Sequence, residues 1–409
     1  MKLDLDIVRG NFPALAGDWT YFDNAGGSQA AHQIGNRIVD YLNNTNVQLG
    51  ASYEISQLSE AKVNKAQNNW ADAINAQSVS EVVFGSSSTA LLQNLSRSLV
   101  QTYKPGDEVI VTNTDHEANI GPWIDMEKHG MVVKIWEVNK DSLELELDDL
   151  DKLMTEKTKL VAFTHASNIL GTINPIKEIT EFIHKRGALS CVDGVAYAPH
   201  RAIDVQLWDV DFYVFSMYKV YGPHYSLLFG KKEILDKLPS INHFFIGTDD
   251  VPYKLQPGNV NYELTVGCQG VLDYIDDIYY QHYQDTSILL FDRYSKVFDL
   301  FANHEEELAR PLIDFLNSKK NVKIIGKDTA NKEIRVPTIA FTVAGKKSSE
   351  IPPLVDPHKI GIRWGDFYAR RLIDDLGLSN NDGIVRVSMV HYNTIDEVSR
   401  LIEVLDTIF

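Results

Sequence analysis

Asp211 to Pro223 reads DFYVFSMYKVYGP, and the fold is decided by how this stretch is read. Phe212 to Phe215 is a short apolar run of strand-forming residues. The chain turns polar at Ser216, sets Lys219 between Tyr218 and Tyr221, and breaks at Gly222-Pro223. A lysine just past a buried strand is badly placed for solvation. Desolvation and aromatic or cationic neighbours lower an ammonium pKa and make the amine a nucleophile toward a carbonyl. Taken alone, Lys219 is accounted for as an ordinary surface lysine on a loop. A second stretch upstream, Leu189 to Gly194 (LSCVDG), shifts that balance, because another apolar strand there ends in an acid, Asp193.

Working outward, the same grammar recurs. Glu81 to Phe84 reads as a strand, Gly85-Ser86-Ser87-Ser88-Thr89 as a turn, and Ala90 to Tyr103 as a helix with Leu91, Leu92, Leu95 and Leu99 apolar. A strand, a small-residue turn and a helix N-terminus make an anion site, and hydroxyls add donors for a phosphate. A plain helix cap accounts for the same serines. Glu108 to Val111 is a strand ending at Asp115-His116, Val132 to Trp136 is the next, and Leu147 to Leu153 belongs to a helix. Leu160 to Thr164 leads into His165 to Thr172, Ile176 to Arg186 is helical, and Ala188 to Val192 precedes Asp193. This alternation predicts an α/β fold with a mostly parallel sheet covered on both faces. Ligands bind at the carboxyl ends of such strands, where the polar residues cluster. A lysine for an aldehyde and a carboxylate for a pyridinium nitrogen are the anchors pyridoxal phosphate asks of a protein.

The 409 residues suit a large domain plus a smaller one. A net charge of −17 argues against a polyanion-binding surface, so nucleic acid is not an expected partner. Two cysteines build no disulfide framework, and no C-x-x-C motif points to a metal. MKLDLDIVRGNF holds no apolar core of signal-peptide length and no run is long enough to span a bilayer, so a cytoplasmic protein is expected. Trp19 to Ser28 reads as an extended arm closing on a turn. Ala30 to Asn43 and Ser59 to Ala76 have helical spacing, the latter with Ala61, Val63, Ala66, Trp70 and Ile74 on one side, and a loop at Gly50 to Tyr53 lies between them. From Gly267 the pattern changes. Helices are expected over Val271 to Asn303, Glu305 to Asn317 and Thr394 to Ile408. Strands are expected over Val322 to Ile325, Thr338 to Val343 and Ile384 to Ser388, as a smaller α+β domain. The expected division is 1–16 packing with the small domain, 17–285 as the large cofactor-binding domain, and 286–409 as the small domain.

YFDNAGGSQ, DHEANIGPW, VAFTHASNILGTINPIKEI, VDGVAYAPH, DFYVFSMYKVYGPH, KLQPGNVNYE and VRVSMVHYNT run from Tyr21 to Thr394. As a set they resemble the class V aminotransferase family of fold type I pyridoxal-phosphate enzymes, in its cysteine desulfurase and selenocysteine lyase branch. The resemblance implies that Lys219 forms the Schiff base and moves the substrate Cα proton, that Asp193 pairs with the ring nitrogen, and that His116 stacks on the ring. It further implies that Asn168 contacts the ring hydroxyl and that Ser87, Ser88 and Ser216 form the phosphate cup. Asn259, after Gly258, would reach across a homodimer to the neighbour's phosphate; the loop Gly50 to Tyr53, read from its residues, is expected to border a site or a subunit contact. Arg386, assisted by Arg363 and Asn24, would hold the substrate carboxylate, a task suited to a bidentate fork.

Three departures bear on the reaction. The desulfurase loop resembling R-x-G-H-H-C reads Arg363-Trp364-Gly365-Asp366-Phe367-Tyr368 here, so Tyr368 stands where the nucleophilic cysteine would be. Cys191, in a core strand, and Cys268, at a helix start, are read as buried structural residues. The histidine before the lysine is Tyr218, and a glutamine supporting the ring hydroxyl is Ala196, beside Tyr197. The expected activity is a β-eliminating C–S lyase on cysteine or an S-substituted cysteine, working without an enzyme thiol. Transamination or epimerisation is the alternative, with Tyr218, Tyr368 or His391 as acid–base candidates opposite Lys219. A non-catalytic relative is the third reading, opposed by the retained Lys219 and Asp193.

Overall fold

The computed structural model describes residues 1–409. Seven strands form the large sheet: β1 (Val82–Gly85), β2 (Glu108–Thr112), β3 (Val132–Trp136), β4 (Thr158–Thr164), β5 (Leu189–Asp193), β6 (Phe212–Ser216) and β7 (Ser226–Gly230). Their order across the sheet is β1-β7-β6-β5-β4-β2-β3. β7 runs antiparallel to both its neighbours, and the other pairings are parallel. All strands but β7 therefore end on one edge. The α/β fold expected from the alternation is what the chain adopts.

Val109, Val111, Ala162, Cys191 and Val214 project to one face and Ile110, Val161, Phe163, Val192 and Phe215 to the other, each into its own core. A strand buried on both faces must be apolar at every position, which is why these read as continuous apolar runs rather than alternating ones. Helices α1 (His32–Asn44), α2 (Glu54–Ala73), α3 (Ser88–Leu99), α4 (Ile176–His184) and α5 (Tyr262–His282) cover the sheet. Ala61 does not share the buried side of α2, which is formed by Val63, Ala66 and Trp70. α3 starts at Ser88, earlier than the apolar pattern suggests, because the Ser87 side chain caps it by accepting from the Ala90 N–H at 3.1 Å.

The helices expected over Val271–Asn303 and Glu305–Asn317 are arranged differently. α5 ends at His282, where Tyr283 turns extended, and α6 runs unbroken from Leu290 to Ser318. Asp285 accepts from the Ser287 N–H and hydroxyl, while Arg293 bridges back to Asp276 at 2.7 Å, fixing the reversal between the helices. The first half of α6 packs Tyr294, Val297, Phe298 and Phe301 into the large core. Its second half packs Leu308, Leu312 and Leu316 against the second sheet. That sheet is antiparallel, with order β10-β11-β9-β8, from β8 (Val322–Ile325), β9 (Thr338–Val343), β10 (Arg363–Gly365) and β11 (Ile384–Ser388). α7 (Ile395–Ile408) covers it, held at its start by a capping box between Thr394 and Glu397. The N-terminal arm bridges Asp23 to Ser388, placing the arm's carboxylate beside Arg386 of β11.

Candidate active site

Because the parallel strands end together, their C-terminal residues converge on one chamber. From β1 and the α3 cap come Ser87, Ser88 and Thr89. From β2 comes His116; from β4, Thr164 and Asn168; from β5, Asp193, Val195 and Ala196; from β6, Ser216, Tyr218 and Lys219. A second hollow shares His116, Asn168, Tyr218 and Lys219 with it and opens toward Arg363, Phe367, Tyr368 and Arg386, with Ala25 and Gly26 on its wall. The second is a vestibule to the first.

Lys219 ends the turn that follows β6 and is 7% exposed. Burial, aided by the Arg386 charge, lowers its ammonium to about 8. No side chain or backbone group hydrogen-bonds its Nζ. Asp193 is buried at the end of β5, in register with Thr164 of β4 and Val214 of β6. One of its oxygens accepts from the Val195 N–H at 2.8 Å and the other has no protein partner. Burial pushes this carboxyl up to about 6, against the pull of the Val195 N–H and the Lys219 charge. An amine and an acid, both buried and both under-partnered, face one chamber. Buried charged groups are costly unless a bound group satisfies them.

The sheet register explains the third wall. Ser226 of β7 pairs with both Gly85 and Ser216, so three hydroxyls meet: Ser88 to Ser216 at 2.8 Å and Ser226 to Ser216 at 3.1 Å. The N–H groups of Ser88 and Thr89 make no backbone hydrogen bond and are free for an anion at the helix N-terminus. Lysine for an aldehyde, acid for a ring nitrogen and an amide-and-hydroxyl cup for a phosphate fit pyridoxal phosphate.

His116 lies over the chamber with its Nδ1 accepting from the Ala118 N–H at 3.1 Å, which leaves the proton on Nε2. Burial and the nearby Lys219 and Arg386 charges lower its pKa to about 4, so the ring is neutral at physiological pH. The Tyr368 ring leans on it at 5.2 Å. Asn168 reaches the chamber, with its amide donating to the Phe367 carbonyl at 2.9 Å. Arg386 is buried; it donates to Asp23 at 3.0 Å and to the Asn168 carbonyl at 3.2 Å, while its Nε has no partner. The Phe367 ring lies over its guanidinium at 3.7 Å. Burial lowers the Arg386 pKa to about 10, so it stays charged at neutral pH. Arg363 pairs across the strands with Arg386 and shares Asp23 with it, at 3.5 Å.

Three expected residues lie elsewhere. Asn24 is not on the wall: its amide donates to the Tyr21 and Ser388 carbonyls and to Asn393, and it accepts from Tyr392. Its polar atoms are spent on joining the arm to the second sheet, and Ala25 and Gly26 take its place. His391 is fully buried between Tyr274 and Tyr221 and stacked on Phe301, away from both hollows. Asn259 sits outside its own chain's chamber, in a cleft with Ser86 and Gln256 beside the phosphate turn. Cys191 and Cys268 are fully buried, and burial raises both thiols.

The structure also recruits residues the sequence did not flag. Asp115 bonds Thr112 of β2, the Thr164 N–H of β4 at 3.1 Å and Asn119 at 2.6 Å, setting the turn that carries His116. Burial pushes its carboxyl up to about 8. Thr89 and Phe367 stand on the walls, and Asp23 and Ser226 back them by bonding Arg386 and Ser216. Asp23 and Asp115 lay within two of the quoted motifs, YFDNAGGSQ and DHEANIGPW, and Thr89 lay in the turn already read as a phosphate site. Phe367 lay in the quoted loop Arg363 to Tyr368, and only for Ser226 did the chain carry no such signal.

Residues 20–401 match the family described as Aminotransferase class-V. The chain belongs to the class V aminotransferase family. It is 43% identical over 416 residues to the aminotransferase-like protein FGM3 of Gibberella zeae, covering 100% of this chain and 99% of that one. It is 31% identical over 417 residues to the cysteine desulfurase-like protein ustD of Aspergillus flavus, covering 99% and 91%. Among solved structures, the cysteine desulfurase CsdA of Escherichia coli superposes with a TM-score of 0.84 at 25% identity, over 100% of this chain and 98% of that one. The apo cysteine desulfurase of Thermococcus onnurineus superposes at 0.87 with 24% identity over the same shares, a likeness of fold. The family makes this a pyridoxal-phosphate enzyme with the fold type I architecture.

Proposed function

We propose that this family member cleaves the Cβ–S bond of cysteine or an S-substituted cysteine by β-elimination, without an enzyme thiol. The observation that carries this reading is the vestibule. Lys219 stands in it next to Arg386, and the position over His116 that a cysteine would fill is held by Tyr368. With both native thiols buried, no sulfur of the protein is available to carry a persulfide. The desulfurase-like names of several relatives support the substrate class.

In this reading Lys219 would hold the cofactor's aldehyde carbon, Asp193 would pair with the ring nitrogen, His116 would lie against the ring, Ser87, Ser88 and Ser216 would take the phosphate, and Asn168 would meet the ring hydroxyl. When bound, the pyridine ring supplies an electron sink for the pair left at the substrate Cα. Arg386, whose Nε has no protein partner, fixes the substrate carboxylate. Lys219, freed when the substrate amine replaces it at the aldehyde carbon, would take the Cα proton. The Cβ–S bond then breaks with its electron pair leaving on sulfur, and hydrolysis delivers pyruvate and ammonia. Transamination or epimerisation is the second reading, favoured by Tyr218 and Tyr368 on the vestibule side and by the aminotransferase-like name of the 43% identical relative.

Purified, cofactor-loaded protein incubated with L- and D-amino acids, including cysteine, its sulfoxide and S-conjugates, separates these readings. Pyruvate with a released thiol or sulfenate supports the elimination, whereas alanine with sulfur means desulfuration. Cα deuterium uptake with loss of optical purity means epimerisation, and build-up of the pyridoxamine form means transamination. The active form in this proposal is a homodimer, supported by the exposed apolar residues Val39 and Leu42 of α1 and Tyr53, Ile55 and Leu58 at the start of α2.

A further inference from the structure

The loop Gly365 to Arg371 holds the only two consecutive non-glycine residues that are left-handed. Phe367 has φ 50° and Tyr368 has φ 60°, a region that bulky side chains avoid. A turn of this kind persists only where its surroundings hold it. Here the holding groups come from the turns that build the chamber. The Asn168 amide donates to the Phe367 carbonyl at 2.9 Å, and the Glu117 N–H donates to the Tyr368 carbonyl at 2.8 Å. Arg371 then closes on the Glu117 carboxylate with two bonds, one from Nε at 3.1 Å and one from a terminal nitrogen at 3.2 Å. The short helix that carries Arg371, Arg370–Asp375, is tied again at its far end, where Asn113 donates to Asp375 at 2.8 Å. Ala369, Leu372 and Ile373 seat it in a small core with Ile169 and Leu170.

The two rings of this loop lie on groups of the site. The Phe367 ring covers the Arg386 guanidinium at 3.7 Å, and the Tyr368 ring leans on His116 at 5.2 Å. Both residues line the vestibule with Lys219. Glu117 and Arg371 line neither hollow, yet Glu117 directly follows His116 in the chain. A partly exposed ion pair adds little where it joins two surfaces that are fixed already. This pair is bidentate, and it joins the His116 turn to a strained loop.

We infer that Glu117 and Arg371 are positioning residues of the substrate site. Their ion pair holds the loop in its strained turn, which keeps the Phe367 ring on Arg386 and the Tyr368 ring on His116. This rests on the reading of the vestibule as the amino-acid site. With the rings fixed, Arg386 is confined to one orientation toward the carboxylate, and the ordering is complete before the substrate arrives. Opening the pair lets the strained turn relax, and the arginine loses that confinement. The cofactor groups Lys219, Asp193 and the serine cup lie on other turns, so cofactor binding is spared.

Amino-acid binding and amide exchange, both read on cofactor-loaded protein, test this. The probe is L-alanine, which has no leaving group, so its Kd is read from the change in cofactor absorbance. Glu117→Gln and Arg371→Met are each expected to raise that Kd about fivefold, the scale of one well-formed surface pair, with the absorbance before addition unchanged. Exchange of the Glu117 amide is expected to quicken by about the same factor, because its bond to the Tyr368 carbonyl opens with the loop. In a background without the two rings, Phe367→Ala/Tyr368→Ala, adding Glu117→Gln is expected to leave the Kd where it was. Losses that add in full would mean the pair acts elsewhere, and they overturn the inference. An unchanged Kd in Glu117→Gln and Arg371→Met overturns it too, even with faster exchange, since the pair would then be structural only. Absorbance of the unsubstituted protein that ignores L-alanine overturns the vestibule reading and the inference with it. The elimination is judged separately, by the products from S-conjugates.

Discussion

At the scale of single residues, the cost of the site is concentrated in Lys219. Its folded-state pKa, about 8, lies below the ordinary lysine value of 10.5, so between these limits the unfolded chain holds more protons than the cofactor-free fold. The resulting destabilisation is full below pH 8 and fades as pH rises through 10.5, on the order of 3 kcal/mol for such a shift. Lys219→Met should therefore raise the urea midpoint of the cofactor-free protein at pH 7 and gain much less at pH 10. An equal gain at both pH values would mean that packing, not charge, sets the penalty. The same substitution, or Lys219→Ala, should abolish the visible absorbance of the bound cofactor; unchanged absorbance would show that another lysine carries it. Asp193→Asn should keep that absorbance but lower turnover by on the order of a hundredfold, the scale of one lost electrostatic contact in a closed site. Turnover unaffected by the change would remove Asp193 from its assigned role. Lys219 and Asp193 were legible in the chain because each follows an apolar strand. Asn24 was misread because a motif places a residue near a site without saying where its side chain points.

At the scale of elements, the position of Asp193 depends on how β5 ends. A Cβ at Gly194 would lie 2.2 Å from the Tyr213 ring, which is buried and held through its hydroxyl to His165 Nδ1 at 2.9 Å. Gly194→Ala should cost about 1–3 kcal/mol, as overpacking does, and weaken cofactor binding by displacing Asp193. A thermal melt and a cofactor titration check both, and no change in either would mean the ring can move. Strands and the α3 cap were readable from apolar runs and small-residue turns. The reversal between α5 and α6 was not, because Tyr283 to Leu289 contains no glycine or proline and its polar-apolar spacing continues a helix. The Asp285 turn, which also accepts from the Tyr279 hydroxyl, and the Arg293–Asp276 bridge hold the reversal there.

At the scale of the whole molecule, light scattering should return twice the 46.1 kDa chain mass, and a cofactor-loaded monomer would sink the homodimer. The sequence by itself determined the parallel α/β layout, since strands buried on both faces must be apolar throughout and their ends must be polar where a ligand sits. It also determined that an amine, an acid and a hydroxyl turn occupy those ends, and that no cysteine stands in the loop at Tyr368. Tertiary structure alone decided which polar groups face the chamber and which are spent on holding the fold. Asn24 and His391 are satisfied within the protein, whereas Lys219 and one oxygen of Asp193 are not. It alone brought Asp23, Arg363 and Arg386 together from the N-terminal arm and two strands of the second sheet. Hydrogen-bond satisfaction and long-range pairing are properties of the closed fold, and no local pattern encodes them.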